Sequence, residues 1–158
     1  MIEQLDELYR DVILDHFKNS RHAGALPDAQ VKVEGNNPLC GDEMTFYLGL
    51  DNRHIQEARF EAKGCAISQA AASMLAAQLE GKTLDEARRL IDAMKRLMQG
   101  EPPDPSMDLG DLEALAGVRK FPVRVKCAAL SWNVVEEGLR DYGRQQRAGP
   151  PSEVERWH

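Results

Sequence analysis

Cys40 and Asp42 stand one residue apart in the stretch GNNPLCGDEM, residues 35 to 44. A thiol and a carboxylate at that spacing in a loop can turn toward one metal ion. Gly35, Asn36, Asn37 and Pro38 are turn formers, and Gly41 lets the chain adopt positive φ beside the pair. The plainer reading is a buried Cys40 on the approach to a hairpin, with Asp42 as a turn residue. Cys65 follows Gly64 at an expected strand-to-helix junction. Free backbone N–H groups and the helix dipole there stabilise an anion, which populates a thiolate. Otherwise Cys65 is a small residue closing the junction. Cys127 lies in the first turns of the last expected helix, with Arg119, Lys120, Arg124 and Lys126 around it in sequence. Nearby cations favour a thiolate; the alternative is a solvated basic face. Arg124 precedes Cys127 by three residues and so shares its side of a helix. Taken together, Cys40, Asp42, Cys65 and Cys127 form a set of three thiolates and one carboxylate. That set suits a tetrahedral zinc or iron site with one weak, exchangeable oxygen ligand.

These four residues are far apart in the chain, so the fold must gather them. Residues 2 to 18 read as a helix, because Ile2, Leu5, Leu8, Tyr9, Val12, Ile13 and Phe17 recur at spacings of three and four. Val31 and Val33 start a short strand. Met44, Phe46, Leu48 and Leu50 alternate with Thr45, Tyr47 and Gly49 as a second strand. Residues 54 to 62 read as the return strand, which makes an antiparallel meander. AISQAAASMLAAQLE, beginning after Cys65, is a strong helix former with alanines on every side, so it is expected to pack on more than one face. Thr83 and Glu86 form a capping box for the next helix. Residues 108 to 117 suggest a short helix, and Pro122 opens a last helix of roughly 122 to 142. Cys127 falls nearly opposite Val125, Ala129 and Trp132 on that helix, which must then be covered on two sides or present the thiol to a site. The expected fold is α+β, a small three-stranded antiparallel sheet with about five helices packed against it. Residues 1–142 read as one domain and residues 143–158 as a mobile tail.

Composition narrows the function. A chain of 158 residues with 42% apolar content can bury a real core. A net charge of −6 argues against a general nucleic-acid binder. No apolar run is long enough to span a bilayer, and the acidic amphipathic N-terminus lacks the features of a signal peptide. The expectation is a cytoplasmic protein without membrane or nucleic-acid partners. Three cysteines, an odd number, favour metal binding or thiol chemistry over disulfides. His16 lies within the apolar stripe of the first helix and reads as a hydrogen-bonded core residue. His22 and His54 sit in loop or turn contexts. No phosphate-binding loop, dinucleotide fingerprint or nucleophile elbow is present.

The stretches LYRDVILDHFKNSRHAG, GNNPLCGD, ARFEAKGCAISQAAASML and VKCAALSW together closely resemble the U-type iron–sulfur cluster assembly proteins. The likeness covers about residues 5 to 142, with the three cysteine motifs in the family's order. It implies that Cys40, Asp42, Cys65 and Cys127 take the family's metal or cluster ligand positions. It implies a role in receiving sulfur from a cysteine desulfurase and supporting Fe–S assembly. Lys126 stands where the IscU branch has His, and Lys120-Phe121-Pro122-Val123-Arg124 stands where that branch has Leu-Pro-Pro-Val-Lys. The stretch between Cys65 and Cys127 is also longer than in IscU. All three features look like the SufU branch, associated with zinc and a SufS-type desulfurase. The reading that follows is a zinc-dependent sulfur acceptor, with Cys40 as the receiving thiol, Cys127 as runner-up and Arg124 in support. The alternative is a scaffold for a transient [2Fe–2S] cluster passed on to apo Fe–S proteins or carriers.

Overall fold

Three rows of apolar residues run across the sheet and set its buried face. Val31, Leu48 and Ala58 form one row, Val33, Phe46 and Phe60 the next, and Gly35, Met44 and Ala62 the third. They arise because β1 (Val31–Asn37), β2 (Asp42–Asp51) and β3 (His54–Lys63) pair as an antiparallel meander in the order β1-β2-β3. Every second residue then points the same way. Phe46 and Phe60 meet with ring centroids 5.9 Å apart. The opposite face carries Lys32, Tyr47 and Arg59 in one register, with the Lys32 ammonium 5.9 Å from the Tyr47 ring centroid. The computed structural model describes residues 7–38, 41–102 and 105–148.

Five helical elements complete the described fold, as expected: α1 (Glu7–Lys18), α2 (Ala66–Leu79), α3 (Leu84–Met98), a 3-10 helix (Gly110–Lys120) and α4 (Pro122–Ala148). The alanine-rich α2 is the central one, touching α1, β3, α4 and the 3-10 helix. Ala70, Ala71, Ala72 and Ala76 are fully buried, since small side chains let neighbours approach on every side. α3 turns Leu84, Ala87, Leu90, Ile91, Met94 and Leu97 inward. Its capping box is present as expected, with Thr83 and Glu86 each donating a backbone N–H to the other's side chain.

α4 is covered on two sides, by β1 and by α2. Two glycines permit the approach to β1. A Cβ on Gly35 would lie 2.5 Å from Val134 Cγ2, and one on Gly138 would lie 2.8 Å from Val33 Cγ1. His16 is buried as expected and bonded at both ring nitrogens. Nδ1 is 2.9 Å from Ser73 Oγ on α2, and Nε2 is 2.7 Å from Asp111 Oδ2 on the 3-10 helix. The Arg21 N–H also donates to Ser73 Oγ, so one small network ties α1 to two neighbours. The outer edge of β3 is partly paired by main-chain bonds from the loops at His22–Gly24 and Gly81–Lys82.

Three expectations need correction. Leu8 and Phe17, counted in the apolar stripe of α1, are exposed. α1 packs mainly on α2 and the 3-10 helix, along Tyr9, Val12, Ile13 and His16. The short helix expected at 108 to 117 is a 3-10 helix at Gly110–Lys120. Leu109, Leu112, Leu115 and Val118 are all buried and recur every three residues, the period of a 3-10 turn rather than an α-turn. The last helix does not stop at 142 but continues to Ala148. Gly143 weakens a helix by only about 1 kcal/mol relative to alanine, and Tyr142 is anchored against the core. The rest of the expected tail, residues 149–158, and residues 2–6 of the expected N-terminal helix lie outside the described residues. No helix among the described residues is long and apolar enough to cross a membrane.

Candidate metal centre

Strand parity turns Asp42 inward. It opens β2 and shares a face with Met44, Phe46 and Leu48, so its carboxylate points toward the helices and is fully buried. Its partner across the ladder is Asn37, the last residue of β1, which faces inward for the same reason. β3 ends at Lys63, and Gly64 then makes the turn into α2 with φ +133°. Cys65 is the N-cap of α2. Its N–H donates to Asp42 Oδ1 at 2.8 Å, while its thiol lies 3.7 Å from Asp42 Oδ2. The Ser68 N–H, one of the free donors of the first turn, points at Cys65 Sγ from 3.5 Å. The junction therefore offers this sulfur the N–H group expected of a helix start.

Cys127 comes from the far end of the chain, on the first turns of α4, and is fully buried. Burial follows from the two-sided packing of that helix. Asn37 Nδ2 and Arg124 Nη1 each approach Cys127 Sγ to 4.0 Å, and the Val123 carbonyl accepts from the thiol at 3.8 Å. Arg124 is half-buried, with its guanidinium on the sulfur as the three-residue spacing predicts.

One ligand atom each from Asp42, Cys65 and Cys127 lies within 4.8 Å of the others. Zinc–sulfur bonds of about 2.3 Å at tetrahedral angles separate the donors by about 3.8 Å. The three groups therefore need only a small inward shift to share one ion. The donor chemistry fits as well. Two thiols and a buried carboxylate suit a thiolate-preferring metal such as zinc or iron. Asp42 Oδ1 is held by the Cys65 N–H, which leaves Oδ2 on the sulfur side for a single metal bond.

Of the residues expected at the site, Asp42, Cys65, Cys127 and Arg124 come together. Cys40 lies outside the described residues; it precedes Asp42 by two positions. The basic cluster divides. Lys120, Lys126 and Arg119 are all exposed, but Arg119 donates to the carbonyls of Ala116 and Leu97, closing the end of α3. Asn37 and Gly64 have site roles that sequence reading missed. Asn37 was a turn former there, although its even spacing from Val31 and Val33 already placed it on the inward face.

The NifU-like N-terminal domain model matches residues 8–128 of the chain. The chain is 48% identical over 135 residues to the zinc-dependent sulfurtransferase SufU of Bacillus subtilis strain 168, covering 85% of this chain and 91% of that one. It is 38% identical over 139 residues to the iron–sulfur cluster assembly scaffold protein IscU of Streptococcus pyogenes serotype M1, covering 88% and 87%. The crystal structure of a nitrogen-fixing NifU-like protein (N-terminal) from Brucella abortus superposes with a TM-score of 0.80 at 28% identity, covering 89% of this chain and 97% of that one. Most of the chain, including Asp42, Cys65 and Cys127, falls within the matched region, and the three-stranded sheet with its packed helices agrees with the solved fold: the chain belongs to the NifU-like N-terminal domain family.

Proposed function

We propose that this protein is an iron–sulfur cluster assembly factor that takes sulfur from a cysteine desulfurase at a zinc site. The convergence of Asp42, Cys65 and Cys127 within 4.8 Å is the observation that carries this reading. Cys40, two positions before Asp42, is the fourth donor. The likeness to the zinc-dependent sulfurtransferase SufU supports zinc over other thiolate-preferring metals. Zinc, when bound, keeps the thiolates deprotonated and gathers loops that are distant in sequence.

Cys40 is the receiving thiol. Cys127 is fully buried, and the Cys65 sulfur caps α2, so both are poorly placed to meet an incoming group. The Cys40 thiolate attacks the terminal sulfur of a cysteine persulfide on the desulfurase. A new S–S bond forms at Cys40. The old S–S bond breaks, and its electron pair leaves on the desulfurase cysteine as thiolate. The transferred sulfur keeps its oxidation state, so no outside oxidant or reductant is needed. Asp42 keeps its carboxylate on the Cys65 N–H throughout, and Arg124 holds charge beside Cys127. The partner is a SufS-type desulfurase, with apo Fe–S proteins or carriers downstream, and the setting is cytoplasmic. Residues 1–142 carry the site.

A second reading is a scaffold on which a transient [2Fe–2S] cluster is assembled as cargo. The likeness to the Streptococcus pyogenes scaffold protein favours it, and thiolates suit both. Anaerobic purification separates the two. About one tightly held zinc per chain, with stimulation of a SufS-type desulfurase lost in a folded Cys40→Ala variant, is the expected result. A labile cluster in place of zinc supports the scaffold. Unfolding of Cys40→Ala reduces the metal to a structural role.

A further inference from the structure

Asn37 is buried at the end of β1, on the face shared with Val31 and Val33. Its main chain pairs with Asp42, and its side-chain amide reaches toward Cys127 Sγ at 4.0 Å. One residue therefore connects two of the donors, Asp42 through the ladder and Cys127 through a side chain. Cys127 is fully buried, so water does not solvate its sulfur. A thiolate there must find N–H donors in the protein. Arg124 reaches the same sulfur on a long side chain from α4 itself. Asn37 is short, neutral and mounted on a different element, so it can fix where the sulfur points.

We infer that Asn37 is a positioning residue for the Cys127 thiolate, donating a side-chain N–H to its sulfur and tying α4 to the β1–β2 hairpin. The inference rests on reading Cys127 as a metal thiolate. Residues that hydrogen-bond to metal ligands typically change metal affinity 10–100-fold when replaced.

A competing role is simpler. Asn37 precedes Pro38 and could serve only as a turn residue, through its side-chain oxygen. Two substitutions in the full chain separate the roles. Asn37→Asp keeps the size and the turn-forming oxygen but removes the donor and sets a second carboxylate beside the sulfur. Asn37→Ala removes both oxygen and donor. Zinc affinity is measured by competition with a chromogenic chelator. Cobalt(II) substitution then reports on the sulfur through its thiolate-to-metal charge-transfer absorption, which a change in folding stability alone does not move. Circular dichroism of the metal-free proteins checks the fold.

The expected result is that Asn37→Ala weakens zinc binding about 10-fold and Asn37→Asp at least as much. The charge-transfer band moves to lower energy in both, because a sulfur that has lost an N–H donor gives up its electrons more easily. Wild-type affinity and spectrum in Asn37→Asp overturn the inference and leave a turn residue. Unchanged values in both variants overturn it too. If Asn37→Ala loses its fold, Asn37→Asp decides alone, since it keeps the side-chain size. A wild-type chain that binds neither zinc nor cobalt brings down the metal-site reading itself, and the inference with it.

Discussion

Gly64 stands directly against Asp42: a Cβ on Gly64 would sit 2.0 Å from Asp42 Oδ1 and 2.8 Å from its Cα. The backbone of Gly64, at φ +133°, is in a region that L side chains rarely adopt. Any side chain there forces both the turn and the carboxylate to move. Gly64→Ala is expected to lose about 2 kcal/mol of stability from backbone strain alone. It should also release metal more readily, because the turn that sets the Cys65 thiol at the start of α2 is displaced. Thermal unfolding and zinc content of the purified variant check this. An alanine variant that matches wild type in both would show that the junction has slack.

In the proposed site Asp42 supplies an oxygen donor beside thiols, and the Cys65 N–H holds one of its oxygens. Asp42→Ala is expected to retain metal and exchange it more slowly, since the weak ligand is the one removed. The same change strands the Cys65 N–H, at a stability cost of about 1–3 kcal/mol. Asp42→Asn keeps an acceptor for that N–H and should avoid most of this cost. Zinc release to a chelator and urea unfolding separate the two effects. Complete loss of metal from both variants would rule out the exchangeable-ligand idea.

Arg124 holds the position from which a positive charge can serve both Cys127 and a docking partner. Arg119, engaged at the end of α3, is not part of that surface. Arg124→Ala should lower desulfurase stimulation, with the larger deficit at low salt, because charge-guided encounter is screened by ions. Arg119→Ala should instead reduce stability and leave the salt dependence alone. Stimulation assays at two salt concentrations, with zinc content measured in parallel, decide the matter. Wild-type stimulation by Arg124→Ala under both conditions removes the residue from the mechanism.

The capping box at the start of α3 gives a pH signature remote from the metal. The Thr83 backbone N–H, and next its hydroxyl, hold the Glu86 carboxyl below the usual range. A group whose pKa is lower in the folded chain stabilises the fold above its unfolded pKa. That contribution fades as pH falls through the folded pKa. Glu86→Gln keeps an oxygen acceptor without the charge. It should therefore be less stable than wild type near neutrality and equal to it in acid. Thr83→Ala removes the other half of the box and should cost about 1 kcal/mol. Urea unfolding across the acid range tests both, and a Glu86→Gln difference that grows toward low pH would contradict the sign.

Much of this molecule is local and was legible before folding. The alternation around Phe46, the arc of Leu90, Ile91 and Met94, and the Thr83–Glu86 cap are set by residues a few positions apart. The chain carries those patterns wherever it goes. The donor types and the cationic company of Cys127 were legible for the same reason. The 3-10 helix was legible in principle, since Leu109, Leu112, Leu115 and Val118 repeat every three residues. Its period is so near that of an α-helix, however, that only the backbone distinguished them. The extent of α4 and the direction of Arg119 depended on contacts made across the fold. So did the site itself. Residues 37, 42, 65 and 127 share no local pattern. They meet because strand parity turns two of them inward, Gly64 lets α2 begin against a carboxylate, and α4 is clasped between β1 and α2. Each of those steps is harmless to local structure if it fails, which is why packing between distant segments, and not the sequence near any one ligand, decided where the donors converge.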